Sequence, residues 1–418
     1  MSGMKFLGIV YIVMGSILAQ AADLRVWTSR QGSTIEAQLT GMDGDSAVLL
    51  TDEPKEIKIK IADLSLADRQ HLVEYADQPA TILTSVEMGV PEKDARIDKK
   101  RFKRLDQQLT FDEDTELSFD LMETDHFLVA TAGRARPNAV AEIAERLWVG
   151  MAFQHMNFRR DWGDKKMVIF LIEDEGLYAA MGKWYVSYLR KLGHERPADQ
   201  VSQVWDLVSG SGCLVPADVQ ERYNAFAQAR VLRIRETSSG DFKKVFGPFP
   251  THTIASTLLA KQMGGQSDIS PNGYFALLTG HAYYKEIQLA GRSGTSMISA
   301  DDYEGDEIAE SRGFADGTSW AKTLRKLVKK DEVKLDFNQM LSWESSALTP
   351  EQLVVMYSFA YFMNSDAERV SQLAEMVRRI ESNSQVPAAI EIAKIFGFET
   401  VEDLQVGWKE FVLSRNFK

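Results

Sequence analysis

Apolar and polar residues alternate at every second position along much of the segment between residues 24 and 76. The alternating apolar positions are Ile35, Ala37, Leu39, Ile57, Ile59 and Ile61. This is the period of strands that bury one face, and turn-forming residues at 41–45 and 52–54 separate the runs. The pattern predicts a small antiparallel β-barrel over residues 22–76, closed by a short helix after Ser65.

From residue 117 onward the apolar residues follow other spacings, which predict one larger domain over residues 117–418. The elements expected in its first half are a hairpin at 117–121 and 127–132, a helix after Pro137, a strand buried on both faces at 167–172, a helix at 178–192, and strands at 201–208 and 229–235 joined through a turn at 210–213. The helices expected in its second half span 251–263, 272–289, 316–330, 336–343, 349–363, 366–381, 387–396 and 400–414. A small mixed sheet followed by a mainly helical C-terminal half is an α+β arrangement.

Residues 77–116, between these two domains, are predicted to form a charged linker. They carry Pro79 and Pro91, a basic run at 99–104 and an acidic run at 112–116. Runs of opposite charge this close together neutralise each other, so a solvated segment explains them better than a contact with an anionic surface.

The first 21 residues are predicted to be a secretory signal peptide. Lys5 is their only charge, an apolar run follows at 6–18, and Ala19-Gln20-Ala21 is a small-x-small cleavage signature. The apolar run is short for a transmembrane helix, and a retained anchor is the alternative. We therefore expect a chain exported to a periplasm or to the medium, with no membrane span after cleavage.

Charge and cysteine content narrow the classes of function. The 418 residues include 60 Asp and Glu against 48 Lys and Arg, a net charge of −12, which argues against nucleic acid as a partner. A single cysteine excludes a disulfide scaffold and a Cys-rich zinc site. The six histidines are widely spaced, and no two lie within two helical turns of each other.

The N-terminal β module resembles the Sla-type homology-one domain. The residues that carry the resemblance are Trp27-Thr28-Ser29-x-x-Gly32, Ile35-x-Ala37-x-Leu39, Val48-x-Leu50 and Leu64-Ser65-x-x-Asp68-x-x-x-Leu72. In eukaryotic endocytic adaptors this family is an SH3-like barrel that binds short peptide signals. The resemblance implies a protein- or peptide-binding module, and the alternative is a barrel that only packs on a neighbour or on the envelope.

The large domain is similar to the peptidase-MA-like domain of the gluzincin metallopeptidases. The stretches that carry the similarity are Asp125–Thr131 before the first helix, Val168–Ile172 followed by Tyr178, the helix Tyr357–Phe362, the turn Phe396-Gly397-Phe398, and Leu404-x-x-x-Trp408. A gluzincin holds zinc through His-Glu-x-x-His on one helix and a Glu on the next helix, and the first Glu activates the zinc-bound water. The resemblance therefore implies a zinc site at two identifiable places.

Those two places lack most of the residues that this chemistry requires. The first reads His252-Thr253-Ile254-Ala255-Ser256, so Thr253 replaces the general base and Ser256 replaces the second imidazole. The second reads Leu277-Leu278-Thr279-Gly280-His281, with Thr279 at the ligand position. A neutral hydroxyl is a poor zinc ligand and cannot accept a proton at neutral pH. The sequence therefore predicts a degenerate site with no catalytic residue.

A rearranged metal site is the alternative. Its candidate ligands are His252, His281 and Glu286, although Glu286 does not share a helix face with His281. His252 follows Pro250 and can equally act as a helix cap. The motifs of a serine nucleophile elbow, a phosphate-binding glycine loop and a calcium loop are absent from the sequence.

Together these observations predict an exported, non-catalytic protein- or peptide-binding protein. It would join an SH3-like adaptor module to a pseudo-peptidase domain and need no cofactor. The first alternative is a zinc-dependent hydrolase with a rearranged site around His252 and His281. The second alternative is a structural component of the envelope.

Overall fold

The computed structural model describes twelve stretches of the chain. They are residues 24–29, 33–65, 68–69, 71–72, 90–111, 114–133, 135–155, 162–235, 239–265, 272–295, 317–344 and 348–418. The predicted signal peptide and the first part of the predicted linker, 77–89, lie outside the described residues. The chain divides into two compact units, Met1–Ile82 and Leu83–Lys418.

The first unit contains a four-stranded antiparallel sheet. Its strands are β1 (Arg25–Thr28), β2 (Thr34–Asp43), β3 (Ser46–Thr51) and β4 (Glu56–Lys60), and they are hydrogen-bonded in the order β1-β2-β3-β4. The predicted alternation is confirmed in β4, where Ile57 and Ile59 are half-buried between exposed residues, and Ala37 of β2 is fully buried. Within the described part of the chain β1 and β4 are not paired, so the sheet is open and no closed barrel is formed.

Residues of the Leu-Ser-x-x-Asp motif hold this unit together. The carboxylate of Asp68 accepts hydrogen bonds from the Ser65 hydroxyl at 2.7 Å and from the Thr28 N–H at 2.7 Å. The Arg25 guanidinium donates to the same carboxylate at 2.9 Å. The indole of Trp27 is buried and donates to the carbonyl of Ala37 at 3.0 Å. These contacts give Trp27 and Asp68 structural roles, because both side chains are turned inward.

The second unit is built on a six-stranded mixed sheet, which confirms the predicted α+β class. Its strands are β5 (Lys103–Phe111), β6 (Asp114–Glu123), β7 (Phe127–Ala132), β8 (Lys166–Ile172), β9 (Gly210–Leu214) and β10 (Ala225–Arg233), in the order β5-β6-β7-β8-β10-β9. The strands β7, β8 and β10 are parallel to each other, and the remaining pairs are antiparallel.

Twelve α-helices are present among the residues that the structure describes in this unit. They are α1 (Pro137–Gln154), α2 (Glu175–Lys191), α3 (Glu195–Val204), α4 (Ala217–Tyr223), α5 (Pro248–Gln262), α6 (Tyr274–Ala290), α7 (Trp320–Lys329), α8 (Phe337–Met340), α9 (Pro350–Met363), α10 (Ala367–Asn383), α11 (Ala389–Ile395) and α12 (Val401–Leu413). From α5 onward each helix agrees with a predicted one to within a few residues, which confirms the mainly helical second half.

Helices cover both faces of the sheet. Tyr178, Met181 and Tyr185 of α2 share a hydrophobic core with Leu128 and Phe170 of the central strands. The alternate side chains of those strands, such as Val129 and Leu171, are also buried. Helix α1 contacts both β7 and α5, so these helices cover the opposite face.

Three predicted elements differ from the structure. Residues 201–208, predicted as a strand, form the end of α3 and a 3-10 turn at Trp205–Leu207, because Ala198, Val201 and Trp205 reach the core at helical spacing. The predicted turn at 210–213 is strand β9. The end of the predicted linker forms β5 and the start of β6, since Leu109 and Phe111 are buried in the core.

A search for membrane-spanning segments among the described residues finds no helix that is long and apolar enough to cross a bilayer.

Candidate functional site

The two helices that correspond to the expected zinc site pack against each other. Helix α5 begins with Pro248 at its first position, where a missing N–H costs no helical hydrogen bond, and most of its side chains are buried. Helix α6 lies between Gly273 and Gly291, which both adopt positive φ angles. Gly280 allows a close approach to α9, because a Cβ at this position would lie 2.5 Å from the carbonyl oxygen of Met356. The small residue in the expected ligand stretch therefore has a packing role.

His252 on α5 is bound to Glu286 on α6. Its Nδ1 lies 2.9 Å from Oε2 of Glu286, and that carboxylate is completely buried. The other carboxylate oxygen accepts hydrogen bonds from the N–H groups of Gly294 at 2.7 Å and Thr295 at 3.0 Å. The ring of Tyr283 contacts the imidazole edge-to-face at a centroid distance of 4.6 Å. The orientation of the imidazole is thus fixed, while the His252 side chain keeps 11 % of its surface exposed.

The other degenerate positions are buried and neutral. Thr253, Ser256 and Thr279 are all buried. The carbonyl of Thr253 accepts a hydrogen bond from the hydroxyl of Thr257 within α5 at 2.7 Å. The Thr279 hydroxyl has no hydrogen-bond partner among the described residues. These three positions supply hydroxyl groups where the gluzincin reaction needs a carboxylate, an imidazole and a second carboxylate.

His281 belongs to a different cluster. It lies one helical turn from Lys285, whereas Glu286 is turned away toward His252. Burial, together with the positive charge of Lys285, holds the pKa of His281 well below its usual range. Its Nε2 has no hydrogen-bond partner within the described part of the chain. The structure therefore brings His252 and Glu286 into contact but does not add His281 as a third ligand.

These residues do not fit a gluzincin zinc ion. Both oxygens of Glu286 accept hydrogen bonds within the protein, so Glu286 is not available as a ligand, and only the Nε2 of His252 remains. No group of three or more His, Cys, Asp or Glu side chains with metal-binding geometry occurs among the residues that the structure describes. Zinc in proteins is held by at least three such side chains.

A buried ion pair between α6 and the segment before the sheet was not predicted. The Nζ of Lys285 lies 2.8 Å from Oε1 of Glu92, and neither side chain is exposed. The same ammonium donates to Oε1 of Gln154 at 2.7 Å. Gly150 provides the space, since a Cβ there would overlap the Glu92 side chain. The signal in the sequence was Lys285 beside Glu286 in a mostly apolar helix.

Arg146 fixes the backbone around Glu92. Its guanidinium donates to the carbonyl oxygens of Glu92 at 3.1 Å, Lys93 at 3.3 Å and Ala95 at 2.6 Å. Near this cluster, burial and the charge of Lys285 lower the pKa of His155 to about 3, so its imidazole is neutral at neutral pH. The segment around Glu92 is therefore packed into the second unit and does not form a flexible linker.

A second histidine–carboxylate pair lies at the start of β7. The Nδ1 of His126 is 2.7 Å from Oε2 of Glu145 on α1, and the other oxygen accepts from the Thr124 hydroxyl at 2.6 Å. The imidazole stacks on Trp148 with a centroid distance of 3.4 Å. Burial acts to raise the pKa of Glu145, but its hydrogen bonds and the charge of His126 outweigh that effect and lower it. His126, in the Asp-His-Phe stretch, thus connects the hairpin to α1.

Strand β9 forms one edge of the sheet. Within the described residues it pairs with β10 alone. The Arg233 N–H donates to the carbonyl of Ser209, and the Val215 N–H donates to that of Ala227, so the odd-numbered residues bond to β10. The N–H and C=O groups of Gly210, Gly212 and Leu214 therefore point away from β10, and a backbone hydrogen bond joins Leu214 to the Tyr185 hydroxyl of α2.

Helix α5 lies on the face of the sheet that carries Gly210 and Gly212. A Cβ at Gly210 would lie 3.2 Å from the Phe249 ring, and a Cβ at Gly265, just beyond α5, would lie 3.7 Å from the Gln228 side chain. Both contacts are on the face that carries Gly210 and Gly212. Cys213 points to the opposite face, where burial raises the pKa of its thiol to about 12 and makes it unreactive.

Comparisons of the chain with models of protein families, with characterised proteins and with solved structures gave no match. The two family resemblances therefore rest on the residues quoted above.

Proposed function

We propose that this is an exported, non-catalytic protein that binds extended segments of other proteins or peptides. It combines an SH3-like adaptor module with a peptidase-like domain that has lost its chemistry. The observation that carries the proposal is the edge of β9, where the backbone groups of Gly210 and Gly212 point away from β10.

An extended polypeptide can add to such an edge as a further strand. Main-chain hydrogen bonds supply the affinity in this mode of recognition. Glycine in a strand often marks a place where another backbone approaches closely, and two of the three outward-pointing residues of β9 are Gly210 and Gly212. Gly212 is exposed, with only the Arg230 side chain near the position of a Cβ. Among the described residues no other strand pairs with this side of β9, so a partner strand could add there.

The absence of catalysis is proposed from the residues beside this edge. Thr253 stands where the general base is needed, and its hydroxyl cannot accept a proton at neutral pH. Binding and chemistry are separable, because a cleft that recognises a polypeptide needs no group that activates water.

The N-terminal unit supports an adaptor role through its exposed residues. Because Trp27 and Asp68 are used internally, a partner must contact other residues. Leu24 and Val26, at and beside the edge strand β1, have 50 % and 55 % of their surfaces exposed. Exposed apolar side chains on an edge strand favour contact with another chain.

The test is peptide binding by the purified mature chain and its variants. Gly212→Pro removes one outward N–H while the ladder to β10 is kept, and Gly212→Ala is the matched control, because it keeps that N–H and its Cβ meets no atom closer than 3.9 Å. We expect saturable binding of an extended, fluorescently labelled Val- and Gln-containing peptide, lost in Gly212→Pro and kept in Gly212→Ala. Equal binding by both variants, or no binding by the unsubstituted chain, would contradict the proposal.

One observation favours the hydrolase alternative, namely the fixed orientation of His252 by Glu286. A carboxylate that holds Nδ1 is the usual arrangement for a histidine that binds a metal or moves a proton through Nε2. The zinc content of the dialysed chain decides between the two functions. One equivalent of zinc that is lost in His252→Ala would establish the alternative in place of our proposal.

A further inference from the structure

The elements around the edge of β9 have an unusual charge for this chain. The protein has a net charge of −12, with 60 acidic residues in 418. The strands β9 and β10 and the helix α5 contain no Asp or Glu, but they carry Arg230, Arg233 and Lys261. These three elements are therefore cationic on an acidic protein.

Arg230 lies on the glycine face of the sheet. It is paired in register with Gly212, so the two residues point to the same side. Its Nη1 is 3.9 Å from the position that a Cβ of Gly212 would occupy, so the guanidinium lies next to the glycine. Arg230 is half-buried.

The other two cations differ in position. Lys261 is the only charged residue of α5, and its Nζ lies 4.4 Å from the centroid of the Phe226 ring on β10. Helix α5 lies on the glycine face, where its Phe249 ring is next to Gly210, so Lys261 is on this side of the sheet. Arg233 is on the opposite face, over the ring of Tyr178 at 5.1 Å, and pairs with Glu175.

We infer that the polypeptide held at β9 carries an acidic side chain opposite Gly212, and that Arg230 binds its carboxylate. This inference rests on the proposed function. Neighbouring strands lie about 4.8 Å apart, so a strand added beside β9 is two spacings from β10. A glutamate on it crosses the glycine without meeting a Cβ and reaches the guanidinium.

A guanidinium and a carboxylate can form this contact. A guanidinium has five donors in a planar fork, so it can bind a carboxylate in addition to the contacts that it makes within the fold. Lys261 adds a second positive charge on the same face. The class of ligand is therefore an extended acidic segment of a polypeptide.

The experiment compares two labelled peptides that alternate Val with Glu or Val with Gln. Binding is measured on the mature full chain, on Arg230→Gln, and on Arg222→Gln as a control with the same charge change on α4. We expect the Glu peptide to bind roughly ten- to a hundredfold more tightly than the Gln peptide, as for a hydrogen-bonded charge. Arg230→Gln should remove this preference without weakening the Gln peptide, and Arg222→Gln should preserve it.

The outcomes separate the two proposals. Equal affinity for both peptides overturns the inference, and so does a preference for the Glu peptide that survives in Arg230→Gln. In either case, peptide binding that is lost in Gly212→Pro still supports the proposed function. Binding of neither peptide overturns both. The preference should also shrink as salt is raised, because salt screens exposed charges.

Discussion

Glu286 holds the Nδ1 of His252 at 2.9 Å across two packed helices, and its second oxygen binds two backbone N–H groups of the loop after α6. One buried carboxylate thus connects α5, α6 and that loop. In the arrangement implied by the family resemblance, a histidine at this position would bind zinc. In this chain its Nδ1 contributes to packing.

Removing this carboxylate should destabilise the fold. Glu286→Ala leaves the imidazole and two backbone N–H groups without their acceptor, and we expect a loss of about 3 to 5 kcal/mol in the free energy of unfolding. Glu286→Gln keeps one acceptor oxygen and should lose less than half of that. Urea unfolding followed by circular dichroism measures both. A loss below about 1 kcal/mol in Glu286→Ala would show that the pair contributes little.

The Glu92–Lys285 pair should show the asymmetry of a buried ion pair. Glu92→Gln leaves the Lys285 charge buried and unpaired, so we expect a loss of about 3 to 5 kcal/mol in unfolding free energy. Replacing both residues, as Glu92→Leu with Lys285→Met, should recover most of that loss, because no charge is then buried. If the double variant is as unstable as Glu92→Gln, packing and not charge is the dominant effect.

Acid should destabilise the protein through His155. Its pKa is about 3 in the fold and about 6.5 when unfolded, so below pH 6.5 the unfolded chain binds a proton that the folded chain does not. The contribution of His155 to the free energy of unfolding is therefore fully present above pH 6.5, and it is lost progressively as the pH decreases toward 3. His155→Leu should reduce the fall measured by urea unfolding across this range. His194→Gln, at an exposed position, is the control and should leave the fall unchanged.

The Cys213 thiol should not react with thiol reagents in the folded protein. Its thiol is buried and its pKa is raised to about 12, so the reactive thiolate is scarce and inaccessible. We expect labelling by iodoacetamide only in urea, at the rate of global unfolding. Rapid labelling in buffer would mean that β9 separates from α2 in the folded state.

The sequence predicts the elements that can be recognised from their own pattern of apolar residues. The helices from α5 to α12 were predicted to within a few residues, because each has its own apolar stripe. The prediction of a strand at 201–208 was wrong. Val201, Val204 and Val208 favour strands, but the residues form a helix because that conformation brings Val201 and Trp205 against the hydrophobic core beside α2. The glycines of β9 indicated a turn, and only pairing with β10 makes them a strand.

The candidate site was predictable in part. The loss of the zinc motif at Thr253, Ser256 and Thr279 was visible from the sequence. The pairing of His252 with Glu286 joins residues 34 positions apart, and no spacing rule connects them. The Glu92–Lys285 pair joins residues still further apart in the chain, so only the folded backbone places them together.

The position of Glu92 determines where the molecule can be divided. It lies in the segment that the sequence marks as a linker, yet its side chain is enclosed by α1 and α6, and Arg146 holds the backbone at Glu92 and just after it. A fragment of the second unit that begins after residue 95 would have an uncompensated lysine in its interior. A protease that cuts before residue 90 would instead release the first unit and leave this enclosure intact. The stable C-terminal fragment recovered by limited proteolysis should therefore begin upstream of Glu92.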